Sequence, residues 1–91
     1  MPKRKIIPEG KEVSKRFIRS YEELRYRGTV KNKYDFFETL GIKKSANITL
    51  KKIEEGLTEP TVSNILLLHK KYNVSIEWIL LGTGDFKCKP N

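Results

Sequence analysis

Ninety-one residues make one small domain, enough for a single hydrophobic core and too few for two. Hydrophobic residues at 37% and charged residues at 33% describe a globular chain, and the longest apolar runs, ILLL (65–68) and WILL (78–81), are far too short to cross a bilayer. Nineteen Lys and Arg against eleven Asp and Glu leave a net charge of +8, which favours a polyanion as partner through steering and counterion release.

The N-terminus carries Lys3, Arg4 and Lys5 with Pro2, Pro8 and Gly10, and shows no sustained period. It lacks the apolar stretch of a secretory signal, so the expected location is cytoplasmic, and residues 1–12 read as a flexible basic arm. From Val13 a helical period takes over. Val13, Phe17, Ile18, Tyr21 and Leu24 share one face, while Lys15, Arg16, Arg19, Glu22 and Glu23 fall mostly elsewhere. Gly28 closes this first helix.

Asn32 suits the cap of a second, short helix with Asp35 in its first turn. Its apolar positions are Phe36, Phe37 and Leu40, and Gly41 supplies the left-handed residue that turns the chain. A third helix then spans about 45–55, with Ser45 as its cap and Gly56 at its end. At roughly 100° per residue, Ala46, Thr49, Leu50, Ile53 and Leu57 gather on one side. Asn47, Ile48, Lys51, Lys52 and Glu55 gather on the other. An isoleucine among lysines and an asparagine is an odd solvated face. It suits a base-reading one: Lys for phosphates or guanine edges, Asn for adenine, an aliphatic group for a thymine methyl.

Thr61, after Pro60, caps a fourth helix whose expected buried stripe is Val62, Ile65, Leu66, Leu68, His69 and Tyr72, with Leu67 pointing the opposite way. Ser75 caps a fifth, running through Ile76, Trp78, Ile79 and Leu81 to Gly82, and GTGD (82–85) stops helical structure. Residues 87–91 form a polar tail expected to fray. Tyr34, Phe36, Phe37, Tyr72, Trp78 and Phe86 read as core or interface aromatics rather than an open base-stacking platform. No run remains for a sheet, so the fold class is all-α, a bundle of about five short helices.

Enzyme readings find little support. Cys88 is the only cysteine and His69 the only histidine, which leaves no disulfide and no Cys/His metal site within one chain. Cys88 stands in the tail, and His69 reads as a packed, hydrogen-bonded histidine. No nucleotide-binding glycine loop is present, and no cofactor, metal or small-molecule ligand is evident.

A tight glycine turn between the second and third of five short helices has the logic of a helix-turn-helix. Residues 17–85 resemble the N-terminal DNA-binding domain of phage-repressor-like (Cro-like, XRE-type) transcription regulators. The likeness rests on YDFFETLGI (34–42), IEEG followed by Pro60-Thr61, and KYNVSIEWILLGTGD (71–85), the last being the most specific. The resemblance implies a lambda-repressor-like domain over residues 13–86. The resemblance further implies a homodimer on a pseudo-palindromic operator in double-stranded DNA, with the third helix in the major groove.

Carried over by position, the base-reading residues are Asn47, Ile48, Thr49 and Lys51. The phosphate-holding set is Asn32, Lys33, Tyr34, Lys52, Thr61 and Ser63. Two departures touch this unit. The link KKSANITLKK between Ile42 and Ile53 is longer than the family pattern, which adds Lys43, Lys44 and Ser45 to the phosphate set. Phe37 stands where the family has alanine, so the ring asks for wider or rotated helix packing. Leu67, Trp78 and Leu81 are the expected dimer seam. The alternative keeps the fold but makes it a protein-interaction module, of antitoxin or anti-repressor type, with weak or no specific DNA binding.

Overall fold

The computed structural model describes residues 8–42 and 46–88. The segment before Pro8, the residues Lys43, Lys44 and Ser45, residues 89–91, and the side chains of Ala46 and Asn47 lie outside the described residues, together with the expectations placed on them. Five helices follow in chain order: α1 (Pro8–Tyr26), α2 (Lys33–Thr39), α3 (Ala46–Glu54), α4 (Val62–Tyr72) and α5 (Ile76–Leu81). Among the described residues the one extended pairing is an isolated antiparallel bridge between Val74 and Lys87. No helix there is long and apolar enough to cross a membrane. The all-α class expected from the periodicity is the one observed.

The first helix begins at Pro8, not Val13, so residues 8–12 are helical rather than part of an arm. Proline is tolerated in the first turn of a helix, and Glu9, in the first turn described, suits the positive helix end. Ser14 and Ser20, both buried, donate back to the carbonyls of Gly10 (3.1 Å) and Arg16 (2.8 Å), so neither hydroxyl is left unsatisfied.

The core closes around Phe36. Its ring centroid lies 5.5 Å from Phe17, 5.3 Å from Tyr21 and 6.1 Å from Phe37, and it stacks on Tyr72 at 6.1 Å. Full burial of a ring like Phe17 or Phe36 contributes about 1.5–3 kcal/mol. α1 packs on α3 and α5, α2 on α3, and α4 on α5. Phe37, unusual for its position, is buried beside Phe36 rather than displaced to the surface.

Four apolar positions depart from the wheel. Leu57 was expected on the dry side of α3, but Gly56 (φ +74°) has already turned the chain out of the helix, and Leu57 is 64% exposed. Val62 is the first residue of α4 and overhangs the core, 76% exposed, and Leu66 is exposed as well. Leu67, expected to point outward, is half-buried against the core, beside the turn after α2. Its Cδ1 comes within 3.9 Å of where a Cβ on Gly41 would stand. Tyr34, expected in the core or an interface, is exposed.

The tail does not begin to fray at residue 87. The Cys88 N–H donates to the Asn73 carbonyl at 3.0 Å, the Ser75 N–H donates to Phe86 at 2.8 Å, and Lys87 Nζ donates to the Tyr72 carbonyl. This return lays Phe86 edge-on against Trp78, 4.9 Å between centroids.

Candidate nucleic-acid interface

The second helix is set by its cap. Asn32 is extended, and its side-chain oxygen accepts the Asp35 N–H at 3.0 Å, while Asp35 accepts the Lys31 N–H at 3.1 Å. Lys33 Nζ sits 6.0 Å from the Tyr34 ring centroid, so the two side chains stand together at the exposed start of α2. The chain then turns at Gly41 (φ +72°), and the Ile42 N–H returns to the Phe37 carbonyl at 2.9 Å.

The third helix presents one dry and one wet side. Leu50 and Ile53 are buried against α1 and α2. Ile48 (58% exposed), Lys51 and Lys52 lie one turn apart on the opposite side and are exposed. Thr49 is half-buried, so it turns partly away from this face. The helix ends in a Schellman turn: the Leu57 N–H donates to Lys52 at 2.9 Å, and the Gly56 N–H donates to Ile53 at 3.1 Å. Lys51 and Lys52 also stand in the last turn, where a cation complements the helix dipole, so their position has a structural reason as well.

At the start of α4, Thr61 and Asn64 form a reciprocal capping box, with the Asn64 N–H on Thr61 Oγ1 at 3.1 Å and the Thr61 N–H on Asn64 Oδ1 at 2.9 Å. The first-turn N–H groups of Val62 and Ser63 have no acceptor within the helix, and both residues are exposed. Val62 was missed as a surface residue. The signal was available, since a residue directly after the Thr61 cap sits at the helix end and not over its centre.

Other features carry no comparable chemistry. A shallow groove of about 450 Å³ between α1 and the end of α3 is lined by Ile18, Tyr21, Glu22, Arg25, Tyr26 and Glu54, two acids against one cation, which does not favour phosphate. Among the described residues no group of three or more His, Cys, Asp or Glu is placed to hold a metal. His69 is packed and hydrogen-bonded as expected. Its Nδ1 lies 2.9 Å from the Val74 carbonyl and 3.6 Å from Cys88 Sγ. Because a carbonyl only accepts, Nδ1 carries the proton, and the nitrogen facing the thiol is not a base toward it. Of the expected seam, Leu81 is 70% exposed, Trp78 is half-buried beside Arg19 and Phe86, and Leu67 is half-buried against the core.

Two short helices joined through Gly41, the second showing Ile48, Lys51 and Lys52 to solvent, define a helix-turn-helix. Residues 33–79, just over half of the chain, match the helix-turn-helix family of XRE type. The chain belongs to this family of DNA-binding regulators. No curated protein and no solved structure matches it.

Proposed function

We propose that the protein is a sequence-specific transcriptional regulator that binds double-stranded DNA as a homodimer on a pseudo-palindromic operator, with α3 in the major groove. The observation that carries this reading is the exposed side of α3, where an isoleucine stands among lysines on a helix whose other side is locked into the core. Ile48 contacts a thymine methyl, Lys51 and Asn47 read base edges, and Thr49 contributes from the flank of the helix. Lys52 and Lys33, with Asn32, Tyr34, Thr61 and Ser63 at the starts of α2 and α4, hold the phosphates on either side. Lys43, Lys44 and Ser45 join that set from the link before α3.

Affinity comes mainly from phosphate contacts and selectivity from α3. Dimerisation doubles the contacts and sets two half-sites about one helical turn apart. Leu81, with Leu80 beside it, is the exposed apolar end of α5 that carries the seam. The protein works in the cytoplasm without a cofactor. Binding to duplex DNA across a salt series tests the reading: affinity falls steeply and log-linearly with salt for a regulator, and weak, salt-insensitive binding would point instead to a protein-interaction module.

A further inference from the structure

The link that ends α3 leaves a large apolar side chain uncovered. Leu57 follows Gly56 directly and is 64% exposed, although its N–H is tied back to the Lys52 carbonyl at 2.9 Å. The start of α1 stands beside this link. Lys11 Cε lies 3.9 Å from where a Cβ on Gly56 would be. Helical side chains lean toward the N-terminus of their own helix, so Gly56 stands level with the turn before Lys11, where the chain passes Pro8. The segment leading into Pro8 runs Lys3, Arg4, Lys5 and then an apolar pair, Ile6 and Ile7.

We propose that Leu57 is the seat of the chain's own N-terminal segment, with Ile6 and Ile7 packed on it as a strap between the start of α1 and the end of α3. Counted along α1, Ile7 falls four residues before Lys11 and so on its side, in step with the buried Gly10, Ser14, Phe17, Tyr21 and Leu24. Ile6 precedes a first turn containing Pro8, and an apolar residue just before a helix folds back over the residue four into it. Both isoleucines are within two residues of Pro8, about 7 Å at full extension, which keeps them at this end of the molecule. The other exposed leucines near α1, Leu80 and Leu81, are held by Arg16, about 140° round the helix from Lys11. A second copy fits the seat poorly, since one leucine is a small part of the roughly 800 Å² that each partner buries in a stable contact. Charge does not choose the occupant, because Lys11, Lys51 and Lys52 stand exposed with Glu54 and Glu55 at this end. The strap also fixes where Lys3, Arg4 and Lys5 leave the fold, and it is independent of what α3 reads.

The test uses the full chain in urea. A leucine left in solvent tolerates alanine with little change in stability, and alanine in place of an unpacked isoleucine favours a helix start. Under the strap, Leu57→Ala and Ile6→Ala/Ile7→Ala each lower the urea midpoint. The three substitutions together lower it by clearly less than the sum, which is the coupling expected of side chains in contact. A cross-link gives a separate readout, since a disulfide closes only between Cα atoms within about 7 Å. In a Cys88→Ser background, Ile7→Cys/Leu57→Cys or Ile6→Cys/Leu57→Cys closes an intrachain disulfide in glutathione buffer, and Ile7→Cys/Leu81→Cys stays reduced. Additive midpoint shifts, no shift on Leu57→Ala, equal cross-linking to position 81, or free thiols in both Leu57 pairs overturns the proposal. So does a disulfide formed between chains, which makes a second copy the occupant.

Discussion

Arg16 of α1 donates through Nε to the carbonyl oxygen of Ile79 at 2.6 Å, and its terminal nitrogen Nη2 donates to Leu80 at 3.1 Å. One guanidinium thus satisfies two carbonyls at the end of α5, where the helix has no further N–H to offer and the dipole favours a cation. Arg16→Met keeps the stem and removes both bonds, with an expected loss of about 2 kcal/mol in urea unfolding. DNA affinity of the folded variant stays at the wild-type level, because Arg16 faces α5 and not α3.

Gly82 sits under the same guanidinium. It holds φ +75°, and a Cβ added there would stand 3.0 Å from Arg16 Nη1, a group fixed by its two carbonyls. Gly28 has a similar φ of +79° with nothing within 4 Å. Gly28→Ala therefore measures the backbone strain alone, about 1–2 kcal/mol, and Gly82→Ala costs more. In an Arg16→Met background the difference between the two substitutions shrinks, a coupling that a double-mutant cycle in urea reads directly.

The Tyr72 hydroxyl ionises above its ordinary value of 10.0, raised by burial, eased back by its hydrogen bond with Thr39 and raised further by Asp35. Just above pH 10.0 the unfolded chain has lost this proton and the native one keeps it. The stability contributed is complete below pH 10.0 and is lost as pH rises through the folded-state pKa. Lys87 acts in the opposite sense: its lowered pKa makes stability rise with pH up to the ordinary lysine value of 10.5. Tyr72→Phe should flatten the fall in urea midpoint above pH 10.0, and Lys87→Met should steepen the fall on approach to that range. Unchanged slopes in both variants would count against these assignments.

Lys52 and Lys51 adjoin in sequence but are expected to differ in role. Lys52→Ala weakens binding to all duplexes alike and lowers the magnitude of the salt slope by about one. Lys51→Ala costs about 1–3 kcal/mol on the preferred site and much less on unrelated sequences. A salt series on matched and mismatched duplexes separates the two.

The legible parts of this fold are those decided within a few residues. Asn32, Thr61 and Ser75 each cap a helix by accepting an N–H three positions on, so their roles were readable from the residue types alone. The same holds for the glycines that end α2, α3 and α5. The wheel put Ile48, Lys51 and Lys52 on the exposed side of α3, because two buried neighbours, Leu50 and Ile53, settle the rotation of a short helix. What escaped depended on distant chain. Leu67 is half-buried with Gly41, at the end of α2, beside it, and Cys88 is pinned because Asn73 stands across from it. The Arg19–Trp78–Phe86–Arg27 cluster joins three separate segments, and no spacing within any one of them announces it.

The central claim is that α3 reads base edges, and selection of bound fragments from mixed genomic DNA tests it most directly. Wild-type protein should enrich a shared inverted-repeat sequence. Asn47→Ala, Ile48→Ala and Lys51→Ala should each broaden the enriched set, and Lys15→Ala, on the exposed side of α1, should leave it intact. No enrichment by the wild type, or the same broadening with Lys15→Ala as with the α3 variants, would contradict the account.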